Sequence, residues 1–330
     1  MPRHPLPIAT LIIAICLIST RAYSQTSTRS APTWPTHPLR IVVGFPGGSS
    51  PDLVARTLAE PLSKALGQPV LVDNRPGASG NIAADVVAKA TDGHTIGIMI
   101  NGNLTIAKLL NPKTPFDPAR DFQPISLIAT APLVLAAPAG APGNNANEFL
   151  RAGQQAGDHW SYGTPGVGTM AHIGMELLMA QTQLRAVHVP YPGNPQVITA
   201  MMGGQLQLAL LPPGLATAQV RAGKLKALGL SSAGRSALAP NIPSLAEGGV
   251  KNFQLEIWNA AAAPAAMPAA HVQRLSALLS EIARSPDIRQ KLFQQGWQVA
   301  GTSAEGLATR IKEDTRVLGG VIAQRGIKVE

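Results

Sequence analysis

From Leu39 onward, apolar runs alternate with stretches of helical period. LRIVVGF at 39–45 leads into an amphipathic segment from Asp52 to Leu66, followed by QPVLVDN at 68–74, a second helical stretch from Asn81 to Ala90, and TIGIMI at 95–100. Strand, helix, strand, helix, strand in that order predicts a parallel sheet with right-handed crossovers. Pro61 breaks the pattern of the first helix. Having no backbone donor, it predicts a kink there or a shortened C-terminal half.

A long apolar segment, Ile125 to Ala137, separates this unit from a second one of the same kind. The second unit reads as helices at 147–155, 170–181 and 195–202, with strands at 160–162, 185–189, 206–211 and 225–230. An apolar strand at 253–263 and helices at 271–284, 287–294 and 304–325 complete the chain. These last elements are too few for an independent domain, so they are expected to return to the first unit. The expected organisation is therefore two α/β lobes, each a largely parallel sheet flanked by helices. Residues 39–130 with 252–330 form one lobe and 131–251 the other, with crossings near 131 and 252 and a cleft between.

Ahead of the lobes, Arg3 and His4 precede an apolar stretch from Ile8 to Ile18, and Ala22 and Ser24 are spaced as in a cleavage site. This is the pattern of a secretory leader over 1–24, too short in its apolar part to span a bilayer of about 30 Å. Export to the periplasm is the expectation, with 25–38, polar and proline-rich, as a linker. Cys16 is the single cysteine and lies inside the leader, so the mature chain is expected to hold no disulfide, zinc-thiolate site or thiol nucleophile.

Composition narrows the function classes. With 45% hydrophobic and 14% charged residues the chain has material for two cores, and 32 glycines with 29 prolines imply many tight loops. Loss of Arg3 and Arg21 with the leader takes the formal charge from +9 to +7. Cations are scattered and aromatics make up only 4%, which argues against nucleic acid as partner and leaves an anionic small ligand or simply a basic surface.

Ligands of α/β sheets sit beyond the carboxyl ends of strands, which directs attention to three loops. FPGGSSPD (45–52) offers Gly47 and Gly48 for close backbone approach, the Ser49 and Ser50 hydroxyls, and the start of a helix; it also reads as an ordinary capped turn. NRPGASGN (74–81) carries Arg75, a cation for a ligand or for solvent. GTPGVGTM (163–170) lacks the lysine of a phosphate-binding P-loop and reads instead as an anion nest with the Thr164 and Thr169 hydroxyls, suited to a carboxylate. Catalytic machinery is thin: there is no G-x-S-x-G elbow and no H-E-x-x-H. His172 and Glu176, four apart on one helix, lack a third metal ligand, and no cofactor motif is present.

In chain order, LRIVVGFPGGSSPDLVAR, LGQPVLVDNRPGASGNIAADVVAKATDG, HVPYPGNPQVITAMMGGQL, VRAGKLKALGLSS and IPSLAEGGV resemble the solute-binding components of tripartite tricarboxylate transporters, the Bug or TctC type. The resemblance runs from about residue 35 to the C-terminus. It implies a two-lobed type II periplasmic binding protein fold that closes on a small organic acid and delivers it, as a monomer, to membrane subunits of the transporter. Carried onto this chain, it implies ligand contacts from Gly48, Ser49, Ser50 and Asp52, and from Thr164, Gly166, Gly168 and Thr169. Asn101 and Asn103 after the third strand, the turn at Tyr191, Gly193 and Asn194, and Trp258 near the crossing complete the implied pocket.

One departure bears on the ligand. Leu211 and Pro212 stand where many relatives carry Asp followed by Asn, which removes a counter-charge for an amino group and favours plain or aromatic carboxylates over amino acids. Two other functions share these features: a ligand-binding co-sensor that signals to a membrane kinase, and a periplasmic enzyme using Asp52 or Glu256 as acid or base. Turnover of a candidate ligand would mark the enzyme.

Overall fold

The computed structural model describes Met1 and residues 34–325. The leader, Cys16 and most of the linker lie outside the described residues. Among the described residues Trp34, ahead of Leu39, already packs: its indole stacks on His271 with ring centroids 4.2 Å apart, and its N–H donates to Gly93 O at 2.8 Å.

The first half of the chain runs β1 (Leu39–Val43), α1 (Ser50–Leu66), β2 (Val70–Asn74), α2 (Asn81–Ala88), β3 (Thr95–Ile100), α3 (Asn101–Thr105), α4 (Ala107–Leu110), β4 (Phe122–Pro132) and β5 (Val134–Pro138). Next come α5 (Ala146–Ala156), β6 (Ser161–Thr164), α6 (Met170–Thr182), β7 (Val187–Pro190), α7 (Asn194–Met202), β8 (Leu208–Leu211), α8 (Pro213–Arg221) and β9 (Leu225–Leu230). The chain ends with β10 (Glu256–Pro264), α9 (Ala269–Arg284), α10 (Pro286–Gln294), β11 (Gln298–Val299) and α11 (Ala304–Arg325).

These strands make two sheets, in the orders β11-β4-β10-β3-β1-β2 and β7-β6-β8-β5-β9. Both are mixed, where the sequence pattern leads one to expect largely parallel sheets. β1, β2 and β3 are mutually parallel, as are β6, β7 and β8, but β10 runs antiparallel to β3 and β4, and β5 antiparallel to β8 and β9. The reason is the crossing itself. A chain that leaves one sheet and later returns brings back a long strand against the direction of those it left.

Alternation along β1 places Leu39, Ile41 and Val43 on one face, against Val54, Leu58 and Leu62 of α1 and Leu275 and Leu279 of α9. Val42 faces the other way, toward α2 and Trp258. The second sheet is likewise covered on both faces, by α5 and α6 on one and α7 and α8 on the other. Leu318 and Ile322, from the far half of α11, join the α5–α6 side.

Pro61 neither ends nor shortens α1, which continues to Leu66 and closes on Gly67 in the left-handed region. Burial of Leu58, Leu62 and Leu66, each worth about 1.5–3 kcal/mol, outweighs a proline cost of about 3 kcal/mol.

Between β4 and β5 the chain passes from one sheet to the other at Leu133, and it returns through Leu255. Ser231 holds the two passages together. Leu133 N–H donates to Ser231 Oγ (2.7 Å), and the Ser231 hydroxyl donates to Leu255 O (2.7 Å).

Candidate functional site

The parallel strands of the two sheets end at the same cleft. Loops after β1, β2 and β3 face loops after β6, β7 and β8, and the two sets touch across it. A Cβ on Gly193 would lie 2.8 Å from Ser49 Oγ, one on Gly102 2.9 Å from Gly168 O, and one on Gly166 2.4 Å from Ser79 Oγ. At each of these positions a side chain would press on the opposite loop, on backbone at Gly102 and on a serine hydroxyl at Gly193 and Gly166.

Two spaces lie inside, both bordered by Ile100. The outer one, about 480 Å³, is bordered by Ser79, Asn81, Asn103, Gly166, Gly168 and Tyr191 among others. The inner one, about 50 Å³, has walls of Phe45, Met170, Leu210, Pro212 and Trp297 and polar groups from Ser49, Ser50, Thr169, Asn194 and Asn259. Among the described residues that line either space there is no Asp, Glu, Lys or Arg. What positive potential the site has comes from the first turns of α1, α6 and α7, whose initial residues Ser50, Met170 and Asn194 border the inner space.

The first loop divides the expected contacts into two groups. Gly48, with φ 78°, gives its N–H to Asp52 Oδ2 at 2.9 Å. Asp52 also accepts from Arg56 Nε (2.9 Å) and Asn74 Nδ2 (2.9 Å), and Asn74 Nδ2 reaches Phe45 O (2.9 Å). Burial pushes the Asp52 carboxyl up, but the donors from Arg56, Gly48 and Asn74 outweigh it and hold it below its ordinary value. The Gly48 N–H and the Asp52 carboxylate are therefore taken up in shaping the loop. Ser49 and Ser50 differ: both are buried, and neither hydroxyl has a hydrogen-bond partner among the described residues.

In the second loop Arg75 turns outward and pairs with Asp73 (3.0 Å), so it brings no cation to the cleft. Ala78 and Ser79 take left-handed backbone conformations, φ 46° and 57°. Asn103 pins this loop by donating to Ser79 O (3.0 Å) and Asn81 Oδ1 (2.8 Å), and Asn101 donates to Glu256 O (3.3 Å).

The anion nest expected at 163–170 is partly engaged within the chain. Gly166 N–H donates to Thr164 Oγ1 (3.2 Å), Gly168 N–H to His172 Nδ1 (3.2 Å), and the Thr169 hydroxyl to Gly166 O (2.8 Å). Thr164 also meets His188 Nε2 at 2.7 Å. These bonds are possible because acceptors stand beneath the loop: His172 and His188 stack at 4.4 Å, and Tyr162, stacked on His188, donates to Glu176 Oε1 (2.6 Å). Burial drives both imidazoles down to about 4. Glu176 lies 3.9 Å from His172. Among the described residues no three His, Cys, Asp or Glu side chains gather as a metal site would need.

Tyr191 borders the outer space and Asn194 the inner one, with Asn194 Oδ1 buried and unpartnered; Gly193 packs against Ser49. Trp258 borders the inner space, but its indole N–H is committed to Asp314 Oδ2 at 2.6 Å, which leaves ring surface only. Leu211 is displaced from the pocket. Its side chain lies in the core with Val134, Val197 and Leu206, and its neighbours Leu210 and Pro212 face the ligand space, as strand alternation requires. An amino group would instead find no acid among the described residues of the lining. Glu256 is paired with Arg310 at 2.7 Å. Asn259 had no place in the sequence reading; its signal was a lone amide in the apolar run IWNAAAAP.

Residues 54–327 match the sequence model of the tripartite tricarboxylate transporter family receptor, TctC. The chain belongs to that family. Among solved structures, this TctC-family chain is similar to the periplasmic binding protein BugD (28% identity, TM-score 0.85, covering 90% of this chain and 100% of that one). It is also similar to Rpa4515 of R. palustris with adipate (28%, TM-score 0.86, 89% and 99%) and to MatC of Rhodopseudomonas palustris with bound malate (29%, TM-score 0.83, 87% and 99%). The fold is thus that of the periplasmic binding proteins, two mixed sheets flanked by helices. No helix among the described residues is long and apolar enough to cross a membrane.

Proposed function

We propose that this protein is a periplasmic receptor that binds a small organic carboxylate between its lobes, 39–130 with 252–330 and 131–251, and passes it to the membrane subunits of a tripartite tricarboxylate-type transporter. It binds without catalysing: Asp52 and Glu256, the candidate acid and base, are tied to Arg56 and Arg310. One observation carries the reading. Buried hydroxyl and amide groups of Ser49, Ser50, Asn194 and Asn259, unpartnered among the described residues, meet in a small space at the N-termini of α1 and α7. Unpaired buried polar groups cost about 1–3 kcal/mol each, and an anion at converging helix N-termini recovers that cost for the donors among them, the two serine hydroxyls and Asn259 Nδ2. Relatives with bound adipate and malate support a carboxylate as the ligand.

A thermal-shift panel of dicarboxylates, tricarboxylates, aromatic carboxylates, hydroxy acids and amino acids tests this. A ligand at about 100 times its dissociation constant adds about 2.7 kcal/mol of stability, which gives a clear rise in Tm. A rise with one class of acid supports the reading. No response to any carboxylate, with native mass spectrometry showing the protein free of carried-over ligand, overturns it.

A further inference from the structure

Asn259 lies in β10 where that strand pairs with Ile100 of β3 and Ala129 of β4, and the register with β4 slips immediately after it, between Asn259 and Ala260. A bulge of this kind re-aims a side chain. The residue is 1% exposed, borders the inner space, and has neither Nδ2 nor Oδ1 hydrogen-bonded among the described residues. In the apolar run IWNAAAAP that surrounds it, an apolar side chain would pack there without that cost.

The unpartnered atoms around it differ in what they need. The Ser49 and Ser50 hydroxyls and Asn259 Nδ2 can donate to a carboxylate. Asn194 Oδ1 and Asn259 Oδ1 are acceptors, which a bare carboxylate leaves unpaired. They call for a donor on the ligand. An ammonium group would enter a lining that has no acid among its described residues, whereas a hydroxyl donates and accepts without charge.

Building on the carboxylate reading, we propose that Asn259 is a specificity-determining residue that reads a hydroxyl beside the ligand's carboxylate, so that the preferred ligands are hydroxy acids. Sites that hydrogen-bond a substrate hydroxyl reject the analogue lacking it, because their own polar groups are then stranded.

The test is calorimetric titration of the full-length protein and of Asn259→Leu and Asn259→Asp with two matched pairs, malate with succinate and lactate with propionate. The native protein is expected to bind the hydroxylated member of at least one pair about tenfold or more tighter. Asn259→Leu should reduce that preference to less than about twofold while the Tm of the ligand-free protein holds or rises, a combination that a merely structural asparagine would not give. Asn259→Asp, nearly isosteric, should weaken both members by placing a second negative charge beside the carboxylate. The proposal is overturned if the native protein binds the deoxy acids equally well, if Asn259→Leu keeps the preference or fails to fold, or if Asn259→Asp binds as the native protein does. It also falls if none of the four acids binds; a response to some other carboxylate in the thermal-shift panel then leaves the receptor reading standing, and the absence of any response removes both.

Discussion

His172 and His188 stack 4.4 Å apart beneath the 163–170 loop, and each accepts or shares a hydrogen bond that shapes it, His172 Nδ1 with Gly168 N–H and His188 Nε2 with Thr164 Oγ1. Desolvation lowers both to about 4, and for His188 the neighbouring imidazole adds to the effect while Glu176 opposes it. In the unfolded chain a histidine takes up its proton near pH 6.5. As pH falls from about 6.5 toward 4, the unfolded state therefore binds more protons than the folded one, and stability declines across that window. Protonating His172 also removes the acceptor for Gly168 N–H, so the loop loosens on the same side of the scale. His172→Gln removes one of the two titrations. Its Tm is expected to fall less between about pH 7 and pH 5 than that of the native protein, in melts recorded across that range. An equal fall in both would mean that the buried pair does not set the acid sensitivity.

Helix α1 runs through Pro61 without ending, which makes the proline a local cost that its neighbours carry. Pro61→Ala restores an amide able to donate to Thr57 O, at the expense of a freer unfolded chain, and is expected to raise stability by about 1–2 kcal/mol in urea unfolding with an unchanged m-value. An unchanged or lower midpoint would show that the ring is packed more usefully than its half-buried position indicates. The elements that sequence made legible are those whose pattern is long and regular. Helix α11 was readable to its ends at Ala304 and Arg325, and β9 at Leu225 and Leu230. Helix α8 is absent from the predicted elements because it opens on Pro213, yet a proline at the first helical turn costs nothing. Helices α3 and α4, of five and four residues, are too short for a period to register. At the site, the loop positions were visible from glycine and serine, but the division of labour within them was not. Whether Gly166 N–H is free or bonded to Thr164, and whether Leu211 or Pro212 meets the ligand, depends on side-chain direction and on contacts from distant strands. Asn259 was hidden for the same reason: an amide in an apolar strand signals something unusual, but only its packing shows that no partner waits for it.

At the scale of the whole molecule, the two sheets are joined where Ser231 bridges Leu133 and Leu255, and they meet again across the cleft through glycines. A cleft lined without acids or bases among the described residues cannot draw its walls together by ion pairs, so close contact depends on shape, with a glycine on one wall meeting backbone or a serine hydroxyl on the other. Gly102 is the clearest case. It lies buried in α3, outside the left-handed region, so alanine is acceptable to its own helix; yet a Cβ there would sit 2.9 Å from Gly168 O on the opposite wall, closer than real contacts allow. Gly102→Ala is therefore expected to leave the Tm of the ligand-free protein within about 2 °C, since a helical alanine is itself favourable by about 1 kcal/mol. The same change should weaken binding of the best carboxylate by about tenfold or more, equivalent to about 1.4 kcal/mol lost from the closed arrangement. Paired melting and calorimetry separate the two effects. Affinity unchanged alongside unchanged stability would mean that the bound form does not need this contact, and that the walls meet over the ligand in some other register. Weakened affinity in a protein as stable as the native one would identify contact between the two walls, beyond the polar groups of the inner space, as part of what holds the ligand.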